Sequence, residues 1–403
     1  MIRPLFLTLL STHLLSGVPA APQKQKVPPP ILAVGPAPHA SAPSASSRML
    51  LQWIPGPVTC DGATVTGMSV RRPWNMLGWS GANMNDREVT LHFAIDEAGR
   101  PVSVTHDGPD FILYGEDVTP ALVATRFVAD KARQDCRVTY TLRATPLDQA
   151  DVPELMSYTV HPLSGALPKD GWTRIRSLGG TCQEDPQPQP LVRVLPDFEK
   201  LPATPGVRDW SMVRYDLDAK GKPVAATLLT GTANPALDAA ALKAIRASRF
   251  TGGKRTGCFY PFWRAPATLP APDMPEAIRD TKVEGHCPDE HDWATPPQLR
   301  FPEPFRRRSI EGWAVVSYDV APWGELGNLK VIAAQPSSDF GHSAMTVLRS
   351  ARFAPSQQGY TGCVDKVRFK MGPKTMPAID GEGAPAPSIE PQPRYHEKRG
   401  RGA

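Results

Sequence analysis

Residues 247–258 read ASRFTGGKRTGC, an Arg-Phe pair followed by a polar loop and a cysteine. The chain repeats this order at residues 124–136, ATRFVADKARQDC, and at residues 350–363, SARFAPSQQGYTGC. In each case eight to ten positions separate the phenylalanine from the cysteine. A pattern that occurs three times predicts one compact unit present in three copies.

The spacing of the cysteines indicates the same threefold organisation. The chain contains six, which are Cys60, Cys136, Cys182, Cys258, Cys287 and Cys363. Taken in consecutive pairs, the two cysteines of each pair are 76 positions apart. Six cysteines can pair in many ways, but equal spacing favours one disulfide within each unit. An exported protein can keep such bonds.

A metal site is the alternative at the fifth cysteine. His286, Cys287 and His291 lie close together in the sequence HCPDEH, and these residue types bind zinc. The first two units keep the cysteine but lack the histidines. A disulfide shared by all three units therefore explains more, and we predict no metal or other cofactor.

The second unit shows the order of elements most clearly. Apolar and polar residues alternate over residues 213–217, which predicts a strand with one buried face. A turn at Gly221 leads to a second strand over residues 224–229, and a helix follows Asn234, a preferred helix cap. Residues 259–265 then predict a third strand. The expected fold class is α+β, with one helix packed on a three-stranded antiparallel sheet made of a β-hairpin and a final strand.

The other two units repeat this order. In the first unit the strand is residues 89–95, the turn is at Gly99 and the helix opens at Thr119-Pro120. In the third unit the strand is residues 316–320, the turn is at Gly324 and the helix is residues 339–353.

Residues 300–371 contain further motifs in a fixed order. They are Phe301-Pro302, Gly312, the strand to Val320, Gly324, the helix to Phe353, Pro355 after Arg352-Phe353, and the strand from Val364 to Met371. This order resembles the C-terminal domain of the TonB family of energy transducers. The second unit is similar through Arg249-Phe250, and the first keeps the strand, the turn glycine and Arg126-Phe127. We therefore expect three tandem TonB C-terminal-like domains, each closed by its own disulfide.

The resemblance implies a protein-binding function. Domains of this family hold a short segment of an outer-membrane transporter beside their sheet as an added strand, because an exposed sheet edge offers unpaired N–H and C=O groups. The expected partners are therefore TonB-dependent outer-membrane transporters. The strand predicted to bind them consists of Val364, Asp365, Lys366, Val367, Arg368 and Phe369. The alternative is that this strand only closes the fold.

The N-terminus predicts export. Arg3, an apolar run over residues 5–15 and a small-residue end at Ala20 are typical of a cleaved secretory signal. We therefore predict a periplasmic protein. The alternative is an inner-membrane anchor through residues 5–18, which would be the protein's contact with the membrane.

Energy transduction and simple binding both stay open as functions. The anchor helix of the family carries a Ser and a His four positions apart, whereas Ser11 and His13 are two apart here. Residues 21–48 form a short spacer without charged runs. A soluble envelope adaptor or scaffold without energy transduction is therefore the alternative to a transducer.

The predicted organisation has six segments. They are a signal peptide at residues 1–20, a Pro/Ala-rich linker at 21–48, repeats at 49–150, 170–270 and 280–373, and a disordered tail at 374–403. The 46 prolines cluster at both ends and between the repeats, where they indicate linkers.

Charge and motifs exclude other classes of function. A net charge of +5, with no basic stripe interleaved with aromatic residues, does not indicate nucleic-acid binding. Arg306, Arg307 and Arg308 are predicted to lie on the solvated surface. The sequence contains no phosphate-binding loop, nucleophile elbow or HExxH motif, and His92 and His342 are predicted to serve surface or packing roles. We expect no enzymatic activity.

Overall fold

The computed structural model describes residues 48–65, 70–79, 87–108 and 111–372. The predicted signal peptide, the predicted linker up to residue 47 and the predicted tail lie outside these residues. The strands are β1 Arg48–Pro55, β2 Thr59–Cys60, β3 Ala63–Thr64, β4 Met76–Trp79, β5 Glu88–Ile95, β6 Pro101–His106, β7 Arg133–Pro146, β8 Pro190–Val192, β9 Trp210–Leu217, β10 Pro223–Gly231, β11 Arg249–Phe250, β12 Arg255–Trp263, β13 Trp293–Thr295, β14 Gly312–Val320, β15 Leu326–Gln335, β16 Arg352–Phe353 and β17 Tyr360–Phe369. The helices are α1 Val118–Val123, α2 Val152–Val160, α3 Lys169–Arg176, α4 Pro235–Ala247, α5 Glu276–Arg279, α6 Glu303–Arg307 and α7 Ser338–Arg349.

The structure is mixed α+β, as the alternation patterns predicted. Three groups of elements each contain a hairpin, a helix and a final antiparallel strand. We call them the first unit (β1–β7 with α1), the second unit (β9–β12 with α4 and the entering segment from Cys182) and the third unit (β14–β17 with α7 and the entering segment from Cys287). The second sheet has the order β10-β9-β12 and the third the order β15-β14-β17.

The helix of the second unit begins where the sequence predicted. Asn234 accepts a hydrogen bond from the Leu237 N–H at 3.1 Å, and Pro235 occupies the first helical position. The apolar stripe of α4 is buried against its sheet. None of the helices among the described residues is long and apolar enough to cross a membrane, and α4, with 13 residues, is the longest of them.

The first sheet is larger than the predicted three strands. β7 has 14 residues and pairs with β5 on one side and with β1 and β2 on the other, and β4 extends the sheet beyond β1. Leu50, Leu51 and Trp53 of β1 are buried. The sheet has additional strands because the apolar strand β1 pairs along the second half of the long strand β7.

The arginine of each repeated Arg-Phe pair caps the helix that precedes it. The last carbonyl groups of a helix lack partners within the helix, and a basic side chain there is favourable. The Nη1 group of Arg126 donates to Val123 O at 3.0 Å. In the same way, Arg249 donates to Arg246 O at 3.3 Å and Arg352 donates to Arg349 O at 3.2 Å.

The phenylalanine of each pair binds the hairpin turn. Its N–H donates to the carbonyl oxygen of the turn glycine, from Phe127 to Gly99, from Phe250 to Gly221 and from Phe353 to Gly324, at 2.8, 3.0 and 2.9 Å. The three glycines have φ values of 71°, 73° and 91°, and an added Cβ would lie 2.2, 2.1 and 2.1 Å from the phenylalanine carbonyl oxygen. Glycine is required at this turn for both reasons.

A disulfide joins the entering segment of each unit to its final strand. The bonds are Cys60–Cys136, Cys182–Cys258 and Cys287–Cys363. In the sheet register, the second cysteine of each bond lies opposite an aromatic residue, which is Phe93, Tyr215 or Tyr318. The three units therefore share their bond, its place in the sheet and the neighbour across the strands.

The segments between the units are packed rather than free. The helices α2 and α3, which the sequence analysis did not predict, bury apolar residues together with Trp210 and Met212 of β9. In the proline-rich segment before α5, the Leu269 N–H donates to Ser309 O at 2.8 Å, and the Trp313 indole N–H donates to Pro272 O at 2.7 Å. These prolines therefore lie in a segment that is fixed to the third unit.

Arg308 is buried, so the prediction of a solvated arginine run is wrong at this position. Its side chain is 2% exposed, and its Nε and Nη2 atoms lie 2.6 and 2.5 Å from the Asp117 carboxylate. Its Nη1 atom donates to Gly206 O at 3.2 Å. A buried guanidinium needs such partners, and these come from parts of the chain far from the arginine run.

Candidate partner-binding edge

β17 lies at the edge of the third sheet. It pairs with β14 on one side in an antiparallel register that runs from Tyr360 to Phe369, and among the described residues no strand pairs with its other side. All six residues of the predicted binding strand belong to β17. The edge of a sheet presents unpaired backbone groups to any extended chain that approaches it.

The side chains of β17 alternate between the core and solvent. Phe369 is fully buried and contacts the rings of Phe301 and Phe340, with centroids 5.7 and 5.3 Å apart. Val367 packs against the same core, whereas the intervening Lys366 and Arg368 are exposed. The core side chains hold the strand in place, so its backbone edge is presented on a rigid element.

The entering segment covers the beginning of this edge. The His286 N–H donates to Thr361 O at 3.1 Å, and Cys287 is bonded to Cys363. After Cys363, no backbone hydrogen bond from another segment of the described chain reaches this side of β17. The open part of the edge therefore starts at Val364.

Asp365 turns a polar group inward and is satisfied there. The Tyr318 hydroxyl donates to its carboxylate at 3.0 Å, and His291 Nδ1 lies 3.4 Å from the other oxygen. Burial, and then the Asp365 carboxylate, raises the pKa of Tyr318, so its phenol stays protonated and remains a donor. These contacts fix the strand next to its open edge.

The sequence HCPDEH does not form the alternative zinc site. The sulfur of Cys287 is bonded to Cys363, and His291 faces Asp365. Among the residues that the structure describes, no group of three or more His, Cys, Asp and Glu side chains is placed to hold a metal ion.

The corresponding edge of the first unit is already occupied. Counted from the second cysteine of each unit, residues 137–142 of β7 correspond to residues 364–369. β2 pairs with the first of these through Thr59, and β1 pairs with the last three through residues 53–55, both in antiparallel register. The first unit thus adds strands from its own chain at this edge. The sequence analysis missed this pairing, although the apolar residues of β1 were visible as a signal.

The final strand of the second unit is interrupted by a proline. β12 is also an edge strand, but it contains Pro261 three positions after Cys258, where the third unit has Lys366. Proline has no N–H to donate and is tolerated mainly in edge strands. The sequence of β17 contains no proline, so its edge keeps every N–H group.

The part of the chain that carries this open edge matches a known protein family. Residues 297–371 match the family model for the Gram-negative bacterial TonB protein C-terminal. The chain is 30% identical over 78 residues to Protein TonB of Escherichia coli (strain K12), which covers 19% of this chain and 32% of that protein. It is 27% identical over 120 residues to Protein TonB of Klebsiella pneumoniae, which covers 26% of this chain and 49% of that protein. The matches thus span about a third and about half of the lengths of these relatives.

Proposed function

We propose that this chain is a periplasmic, TonB-family protein that binds partner proteins by strand addition at the open edge of β17. The partner would be a short extended segment of a TonB-dependent outer-membrane transporter. The observation that carries this proposal is the pairing of β1 and β2 with β7, because a strand is added there at the positions that β17 leaves open.

We also propose that residues 49–150, 170–270 and 280–373 are three tandem TonB C-terminal-like domains. The family match covers the third of them. Support for the other two comes from the recurring contacts, namely the arginine that caps the helix, the phenylalanine that binds the turn glycine and the disulfide to the final strand. Only the third copy combines an unpaired edge with a final strand free of proline among the described residues.

The charge of the edge favours an acidic partner segment. Lys366, Arg368 and Lys370 alternate along the exposed side of β17 and just beyond it. Opposite charges on neighbouring strands are favourable, at roughly 0.2–1 kcal/mol per pair. An added strand with Asp or Glu at alternate positions would meet these cations, while main-chain hydrogen bonds would supply affinity for any sequence.

Site-specific photo-crosslinking in intact cells tests the proposal. A photoreactive residue at Arg368 should give an adduct with a TonB-dependent transporter. Lys366→Pro should abolish the adduct, because it removes an N–H from the edge. The corresponding position in β12 is already proline, so we expect the variant to fold, which non-reducing disulfide mapping and circular dichroism check.

The control is a photoreactive residue at Lys330, which is exposed on β15 at the opposite edge of the same sheet. We expect no transporter adduct there. An equal yield from both edges, or a yield at Arg368 that Lys366→Pro leaves unchanged, would show that strand addition at β17 is not the mode of binding.

A further inference from the structure

A cleft of about 250 Å³ lies where the three units meet. The first unit contributes Arg71 and Trp74 to its wall, and His161, which directly follows α2, also lines it. The second unit contributes Arg208 and the third unit contributes Arg308. None of the lining residues belongs to β17, so the cleft is independent of the proposed binding edge.

Positive charge exceeds negative charge in this cleft. Four arginines line it, which are Arg71, Arg72, Arg208 and Arg308, whereas Glu154 is the only acidic residue among the described lining residues. The Oε1 atom of Glu154 lies 3.4 Å from Nη1 of Arg72. Asp117, which does not line the cleft, pairs with Arg308 and neutralises its charge. Arg71 has no carboxylate partner among the described residues, so no acidic side chain in that part of the chain pairs with its charge.

His161 adds a buried polar atom without a partner. The residue is 3% exposed, and its ring stacks on Trp74 with centroids 4.4 Å apart and planes 9° apart. Its Nδ1 atom is buried and has no hydrogen-bond partner among the described residues. Burial, and then the charges of Arg208 and Arg308, hold the pKa of His161 well below its ordinary value. Buried polar atoms normally have a partner, and this one lacks it in the wall of a cationic cleft.

We propose that this cleft binds a small molecule that carries a carboxylate or phosphate group, held by Arg71 and Arg208 with His161 beside it. A guanidinium matches both groups because its planar fork donates two parallel hydrogen bonds. The Nδ1 atom of His161 would complete the set by donating, as the N–H of a neutral ring, to an oxygen of the anion. Because the wall comes from all three units, bound anion would also hold them together.

Calorimetric titration of the full chain tests the site, with inorganic phosphate and succinate as probes at constant ionic strength. We expect saturable binding of at least one probe. Arg71→Gln should weaken it about tenfold or more, the effect of one lost hydrogen bond between charged groups. Arg143→Gln removes the same charge from an exposed position on β7 outside the cleft and should leave binding unchanged.

A second readout separates the site from general ion effects. Binding of the probe should shift the imidazole resonances of His161 in the unmodified chain and in Arg143→Gln, and should shift them less in Arg71→Gln. The proposal fails if neither probe binds saturably, or if Arg71→Gln and Arg143→Gln bind equally well. Equal binding would mean an adventitious ion only.

Discussion

Arg308 of the third unit and Asp117 of the first unit form an ion pair whose side chains are 2% and 4% exposed. The guanidinium also lies over the ring of Trp74, with its central carbon 4.5 Å from the ring centroid. Through its hydrogen bond to Gly206 O it reaches the second unit as well. One side chain thus joins all three units, so they are fixed to one another by specific contacts.

Replacing this arginine should destabilise the protein strongly. Arg308→Met leaves the Asp117 carboxylate buried and unpaired, and such changes cost about 3–5 kcal/mol. Urea unfolding followed by tryptophan fluorescence measures the loss. Arg306→Met is the control, because Arg306 is exposed and pairs with Glu303 at the surface, where an ion pair contributes about 1 kcal/mol or less.

The double variant Asp117→Leu, Arg308→Met separates pairing from packing. Removing both charges removes the unpaired carboxylate, so we expect most of the stability to return. A loss in Arg308→Met no larger than in Arg306→Met would contradict the buried pair.

Local patterns predicted the elements within each unit but not the contacts between units. The alternation over residues 213–217 and the cap at Asn234 depend on neighbours in sequence, and both appear in the structure as β9 and α4. Arg308 and Asp117 are 191 positions apart. Within its own sequence window, Arg308 is one of three consecutive arginines, so its burial depends on a partner that the window does not contain.

The candidate edge shows the same division. Alternation is a local property of the sequence, and in β17 it places Val367 and Phe369 on the face that packs against the core. Whether an edge is open depends on what else reaches it. In the first unit, β1 and β7 pair although about ninety positions of sequence separate them. The sequence of β7 alone does not predict this pairing. Pro261, by contrast, was visible in the sequence as an interruption of β12.

The turn glycines should tolerate no side chain. Gly221 has a φ of 73°, and an added Cβ would lie 2.1 Å from Phe250 O. We expect Gly221→Ala to lower the free energy of unfolding by about 1–3 kcal/mol, the range for strained backbone positions. At Gly252 an added Cβ would be in ordinary contact, 3.6 Å from Ala219 O. Gly252→Ala should therefore change stability by less than about 1 kcal/mol, and comparable losses in the two variants would argue against the shared turn.

His161 should make the protein less stable in mild acid. Its pKa is lowered in the folded state by burial and by Arg208 and Arg308, so below about pH 6.5 the unfolded chain binds a proton here that the folded chain does not. Above that pH, titration of His161 does not change the free energy of unfolding. As the pH drops further below about 6.5, the free energy of unfolding decreases by up to about 1.4 kcal/mol per pH unit.

His161→Phe tests this pH dependence while keeping an aromatic ring against Trp74. Unfolding by urea between pH 5 and pH 8 should show a shallower loss of stability in acid for this variant than for the unmodified chain. Arg143→Gln, which changes an exposed side chain that stays charged throughout this pH range, should keep the original slope. If His161→Phe and the unmodified chain lose stability in parallel, the buried histidine is not the source.

Removing one disulfide should lower the stability of one unit, while its strands and helix keep their arrangement. The bond Cys182–Cys258 closes a loop of 76 positions, for which the chain-entropy model gives roughly 4 kcal/mol. We expect Cys182→Ala, Cys258→Ala to lose about 2–5 kcal/mol of stability, because the unfolded chain gains freedom while both sites stay apolar. Urea unfolding measures the loss, and non-reducing peptide mapping should still find the other two bonds. A variant in which the remaining cysteines pair across units would show that the copies do not fold as separate closed loops.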